Sequence, residues 1–322
     1  MLAVIQRTAH SQLRVEQRRW ECANRISVRT LPTSSLVVAL LLALPLLLHF
    51  SQKGHDDLVI ELPVAESGGG PAAPGAAFGT AASAVIANEL EGGTGWRSND
   101  LFFWGPWLMA DNNASRQLGI LQAMRETVRV FKDHLTKVSS DDYDANLVAA
   151  DNLLRNDPEK WAFPSAESRY EEAVAKLNAY VAGLSTEPPV SRPINARNSE
   201  LMRLVQSWSD LLGAVHAELL TDKIAWFGID DAFYHATGVC HAIAHMIPAV
   251  AVEYGREFSQ RPILAELLAE TEAPLALCGS MKPVIVLNGG DTSLLANQRR
   301  NLDAYVTEAR QKLYSIREEI DK

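Results

Sequence analysis

The chain reads as an all-α protein: one N-terminal transmembrane helix followed by a soluble multi-helix bundle. Three observations predict this. Leu31 to Phe50 holds no Asp, Glu, Lys or Arg, and a helix of that length rises about 30 Å, the thickness of a bilayer's hydrocarbon core. Farther on, apolar residues recur at three- and four-residue spacing over long stretches, the period of an amphipathic helix. Short breaks rich in Pro, Gly and Asn separate those stretches, as between the helices of a bundle.

The apolar run has a direction. Arg7, Arg14, Arg18, Arg19, Arg25 and Arg29 precede it, opposed only by Glu16 and Glu21. Basic flanks of a spanning helix stay in the cytoplasm. Residues 1–30 are therefore expected to be a basic cytoplasmic leader and residues 31–50 a signal anchor in the bacterial inner membrane. The remainder is expected in the periplasm. A cleavable signal peptide is the rival, but its leader would be unusually long. His49-Phe50-Ser51-Gln52-Lys53 also lacks a small-x-small cleavage site. Pro45 is no obstacle in a spanning helix. Arg14, Arg18 and Arg25 share a helix face, which suits a leader lying on the inner leaflet.

Charge narrows the partners. The chain carries −9 overall; the first fifty residues hold six Arg and two Glu, so the rest carries −13. An acidic exterior domain lacks the Lys and Arg clusters that bind phosphate, which argues against nucleic acid. Of the three cysteines, Cys22 falls on the reducing side, while Cys240 and Cys278 face an oxidising compartment. A disulfide between those two and a pair of buried free thiols are both compatible with the sequence.

Residues 61–95 are rich in Gly, Ala, Pro and Ser, a composition that buries little apolar surface. Residues 51–95 are therefore expected to be a flexible tether, with a random-coil span of ~37 Å. The folded domain is expected over 96–322. Leu118, Leu121, Met124, Val128, Phe131 and Leu135 predict a helix over 113–138. A shorter helix follows over 142–155, and Pro158 and Pro164 bracket a turn. Ser165 caps a helix running to 184. The break at 187–193 precedes a helix over 196–222, with Leu201, Leu204, Trp208, Leu211, Leu212, Val215 and Leu219 inward. The next begins near Ile229, with Asp230 as its cap, and runs to 258 with a kink or split at Pro248. Arg261 to Thr271 makes another. Residues 282–288 read as a short strand or extended loop, and Thr292 to Glu319 as the last helix.

Several short strings, taken in order, carry a resemblance. They are Gly95-Trp96 with Asn99-Asp100-Leu101, Asp111-Asn112 with Gln117-Leu118-Gly119, and Asn156-Asp157-Pro158 with Trp161 and Phe163-Pro164-Ser165-Ala166-Glu167. Asp230-Asp231, Phe233-Tyr234, Ala236 and Gly238 follow, then Leu287-Asn288-Gly289 with Leu294-Leu295-Ala296-Asn297. Together they resemble a bacterial group, domain-of-unknown-function family 2333. The resemblance implies a single-pass inner-membrane protein with a helical exterior domain and no established activity. The leader and tether lie outside the matching strings.

The densest set of ligating side chains is His235, His241 and His245 with Asp230, Asp231 and Cys240. His241 and His245, four residues apart, share a helix face, a spacing that suits a zinc pair. The residue after the first His is Ala242 rather than the Glu of a metalloprotease helix. His235 is about 240° round the helix from His241 and points elsewhere. His216, on the preceding helix, is the candidate third ligand. The alternative is a polar seam through the bundle, with Tyr234, Gly238, His241 and His245 on one stripe. Adjacent Asp230 and Asp231 diverge by about 100°, so they read as a cap and a macrodipole contact rather than an acid–base pair. The aromatic run Phe102-Phe103-Trp104-Gly105-Pro106-Trp107 is expected to pack over the bundle's end.

The sequence holds no Gly-x-Ser-x-Gly elbow, Walker-type Gly-Lys-Ser/Thr, Cys-x-x-Cys or Gly-x-Gly-x-x-Gly string. The leading expectation is a non-catalytic scaffold or interaction module of the cell envelope. A metal- or small-ligand-sensing domain is the first alternative, and an envelope enzyme without a linear motif the second. Expected partners are the bilayer, through residues 31–50, and an envelope protein; no cofactor and no nucleic acid are expected.

Overall fold

The structure is a computed structural model. It describes residues 34–41, 43, 58–65, 70–93, 95–99, 111–137, 143–221, 228–283, 286–289 and 295–322. Two compact units divide the chain, Met1–Leu44 and Pro45–Lys322. In the first, residues 34–41 and 43 are helical, and the side chains of Leu36, Val37, Val38, Leu40 and Leu41 are 52–66% exposed. Most of the expected anchor, the leader with Cys22, and the aromatic run at 102–107 lie outside the described residues.

The second unit is helical, as expected. Its described helices are α1 (Ala76–Glu91), α2 (Asp111–Val130, prolonged by a π turn, Phe131–Leu135), α3 (Ala145–Leu154), α4 (Ala166–Leu184) and α5 (Asn198–Leu220). Then come α6 (Ile229–Glu253), α7 (Gly255–Gln260), α8 (Pro262–Ser280) and α9 (Gln298–Asp321). Capping places several boundaries. Asp144 accepts from the Asn146 and Leu147 N–H groups at the start of α3, and Ser165 accepts from the Ser168 N–H at the start of α4. The free carbonyls past α3 are held by Arg125, which donates to Leu154 O (2.6 Å) and Asn156 O (2.7 Å).

Three expectations shift at helix ends. Gly228, not Asp230, occupies the N-cap of α6, and both aspartates sit in the first turn. Pro248 does not split α6, which continues to Glu253, and α8 likewise runs through Pro274 to Ser280. Packing on neighbouring helices holds both helices together where an isolated peptide would break.

The largest correction concerns the tether. The Ala-rich segment forms α1, and Ala77, Phe78, Ala81 and Ala82 are fully buried. Its small side chains let α1 lie close on α4 and α6. Phe78 supplies the bulk, meeting Phe131 edge-to-face at 4.8 Å. Composition understated the segment because residues that bury little area each can still pack densely. Residues 58–62 are docked too: Leu58, Ile60 and Leu62 are half-buried against the core, while Val59 and Glu61 face out.

α6 is the hub, packing on α1, α2, α5 and α8. Among the described residues it is the one helix long and apolar enough to cross a membrane, but 67% of its most apolar window is buried inside the domain. Its apolarity therefore serves the core. Against α2 the two backbones touch. A Cβ added at Gly119 would lie 2.0 Å from His235 O, and one at Gly238 would lie 2.0 Å from Arg116 O. Beside this crossing, Ser115 Oγ donates to Asp231 Oδ1 (2.8 Å), and Arg116 clasps Glu89 of α1 through two bonds of 2.8 and 3.1 Å. At the other end of α6, the buried Glu253 carboxylate accepts from the Gly75 and Phe78 N–H groups (2.8 and 3.2 Å), closing the N-terminus of α1. Burial raises the Glu253 pKa, partly offset by those N–H bonds.

Two outcomes follow from these contacts. Gly238→Ala places a methyl group into backbone and should cost more than about 2 kcal/mol in urea denaturation; a cost under about 0.5 kcal/mol would contradict the crossing. Glu253→Ala strands two buried donors and should cost about 2–4 kcal/mol. Glu253→Gln keeps an acceptor without a buried charge and should lose far less at pH 7. Because the folded pKa is raised, the native carboxyl holds its proton longer than the unfolded one. Its contribution to stability therefore falls as pH rises above 4.5, and Glu253→Gln should abolish that slope.

Candidate functional site

α6 and α8 pack against each other and leave a cavity of about 390 Å³ between them. The apolar lining is Leu58, Ile60, Leu62, Ala244, Pro248, Leu275 and Ala276. Polar groups come from His241 and His245, with Gly279 beside them and Glu272, Ser280 and Lys282 completing the lining. Glu272 and Ser280 are exposed. The volume falls in the range of small-molecule sites.

The two histidines are one turn apart on α6, as their spacing predicts, with ring centroids 4.2 Å apart. His245 Nδ1 lies 2.8 Å from His241 O. A carbonyl only accepts, so Nδ1 carries the proton, and a neutral His245 keeps a lone pair on Nε2. His241 is 5% exposed, and its Nε2 has no hydrogen-bond partner among the described residues. Burial, reinforced by the Arg116 charge and by His245, holds the His241 pKa well below the ordinary imidazole range. It is a neutral ring beside the cavity, with Nε2 closed off from solvent.

The third candidate ligand does not join them. His216, on α5, is held by Asp303 of α9 (Nδ1 to Oδ1, 2.7 Å) and lies outside the cavity. Among the described residues, no group of three His, Cys, Asp or Glu side chains is placed to hold a metal. His235 faces Glu218 of α5 at 3.4 Å, away from His241 as its register predicts. Of the polar seam, Tyr234 donates to Pro283 O and Gly238 seats α2, so the stripe exists but serves three separate contacts. Asp231 accepts from Ser115 rather than sharing a proton with Asp230; burial raises the Asp230 pKa. Cys240 and Cys278 are buried free thiols. Hydrogen bonding to Cys278, with burial, pushes the Cys240 thiol well up, which makes Cys240 a poor nucleophile.

The residues that sequence reasoning missed are Leu58, Ile60 and Leu62. Their alternation with Val59 and Glu61 was the available signal, since every second side chain of an extended segment faces one way.

The family described as "Uncharacterized protein conserved in bacteria (DUF2333)" matches residues 27–222 and 214–322. The chain belongs to that family. The match takes in the apolar run and the Gly/Ala-rich segment, which the short strings alone had left outside. No curated protein and no solved structure matches the chain.

An unmatched buried imidazole lowers stability, so His241→Leu should leave the protein as stable at pH 7.5 or more stable by about 1 kcal/mol. The depressed folded pKa adds a sign. The unfolded imidazole takes up its proton near 6.5 while the folded one does not. Stability is therefore full above that value and falls as pH drops through it. Urea denaturation at pH 7.5 and 5.5 should show this fall weakened in His241→Leu. A loss of 2 kcal/mol or more at pH 7.5 would mean that His241 is a satisfied core residue.

Proposed function

We propose that this member of an uncharacterised bacterial family is a membrane-anchored, non-catalytic domain that senses a small ligand in the α6–α8 cavity. The single observation that carries the reading is a ligand-sized cavity lined by two adjacent imidazoles, His241 and His245. A bare scaffold gives such a cavity no purpose. Glu272 and the imidazoles do come from separate helices, as an envelope enzyme without a linear motif would need. His241 Nε2, however, has no partner to orient it as a base, and binding accounts for the same groups with fewer demands.

The anchor in this reading is residues 31–50, with the leader in the cytoplasm and the domain in the periplasm. Support comes from the arginine-flanked run, from the exposed aliphatic helix at 34–41, and from the reach of the family match to residue 27. Only residues 51–57 separate Phe50 from Leu58. Seven residues extend no more than about 25 Å.

A periplasm-dependent reporter fused after Lys322 should be active, and should lose activity and membrane association when residues 31–50 are deleted. Native mass spectrometry of the full chain taken from its own membranes should show a small-molecule adduct. That adduct should be absent from Ala276→Trp, which fills the cavity from an exposed position. A reporter active only in the cytosol would overturn the topology, and an adduct unchanged in Ala276→Trp would overturn the cavity as its site.

A further inference from the structure

We infer that the loop between α3 and α4 is a membrane-contact site, with Trp161 and Phe163 seated in the interface of a zwitterionic lipid bilayer. The inference rests on the membrane-anchored reading above and adds a second place at which the chain meets lipid.

The two rings stand apart from every other described Phe and Trp. Trp96, Trp208, Phe78, Phe131, Phe233 and Phe258 are buried, whereas Trp161 is 62% exposed and Phe163 wholly so. Ala162 between them is exposed too. The backbone beneath the rings is fixed. Asn156 O accepts from Arg125 Nη2 (2.7 Å) and Tyr170 Oη (2.9 Å), and Pro158 O from Trp96 Nε1 (3.0 Å). Lys160 O accepts from Asn99 Nδ2 (3.1 Å) and from the Ala166 N–H (2.8 Å). A loop tied at three carbonyls keeps its rings displayed instead of letting them fold back onto the core. Apolar rings gathered on a pre-organised loop mark a contact surface.

The occupant that fits is lipid. A stable protein interface buries about 800 Å² per partner, while two aromatic rings supply about 150–250 Å² each. Asp157 and Glu159, exposed on the same loop, stop the apolar patch from extending. A bilayer interface asks for no complementary surface: Trp is enriched there, and binding grows with the apolar area each ring buries. An anchor on the same chain holds the domain at a high effective concentration against the membrane, so a contact too small to recruit a free protein suffices. The two carboxylates also make the contact apolar rather than electrostatic, which favours zwitterionic over anionic lipid.

A nitroxide on the full chain in phosphatidylcholine nanodiscs tests this. Cys22→Ser leaves the buried Cys240 and Cys278, and Ala162→Cys carries the label with both rings in place. Collision with oxygen reports lipid, and collision with a water-soluble nickel chelate reports solvent. The reference is a label at Val190→Cys, a 78% exposed position past the other end of α4. The expected result at Ala162→Cys is oxygen access, with nickel collision about threefold or more below the reference. Adding Trp161→Ser and Phe163→Ser should bring the two nickel values together. Equal nickel collision at the two sites with both rings present overturns the inference. Shielding from both reagents overturns it too, because protein would then cover the rings. The anchor is read separately: carbonate-washed membranes should retain the chain carrying Trp161→Ser and Phe163→Ser. Its release, with wild type retained, would overturn residues 31–50 as the anchor and leave the loop as the membrane contact.

Discussion

The α2–α6 crossing at Gly119 and Gly238 is the constraint on which the domain depends. With no side chain at either position, the two backbones meet carbonyl to Cα, closer than any core packing of larger residues permits. That approach brings Arg116 within electrostatic reach of His241 and orders the ring of contacts around α6. The Glu89–Arg116 pair ties α1 to the start of α2, and Glu253 ties the other end of α1 to the end of α6. α1 is thereby held at both ends by carboxylates, one of its own and one received.

The fold class was legible because bundle helices declare themselves by period. The pattern from Leu118 to Leu135 and that from Leu201 to Leu219 place α2 and α5 within a few residues, and Ser165 marks the start of α4. α1 was not legible by composition, since Ala and Gly signal linkers and close packing alike. The spacing of Phe78, Ala82, Val85, Ile86 and Glu89 carried the missing information: all are buried, at helical intervals. Tertiary context also overrode the local signals of Pro248 and Pro274.

The candidate site was half legible. Two histidines four residues apart predict a shared face, and the structure keeps it. The third partner could not be read, because which helices meet is not encoded in the spacing along any one of them. His216 finds Asp303, and α6 instead meets α8 together with an extended segment from 180 residues earlier in the chain. What replaces a metal triad is an imidazole pair on a cavity with aliphatic lining. His241 itself sits almost wholly buried beside that cavity, its Nε2 without a partner among the described residues.

The state of the His241 ring is where these arguments converge. Nitrogen-15 NMR of the imidazole, across pH 8 to about 5.5, tests it directly. The account predicts a ring that stays neutral throughout. A ring that titrates near 6.5 would be solvated rather than sealed beside the core, and would contradict it.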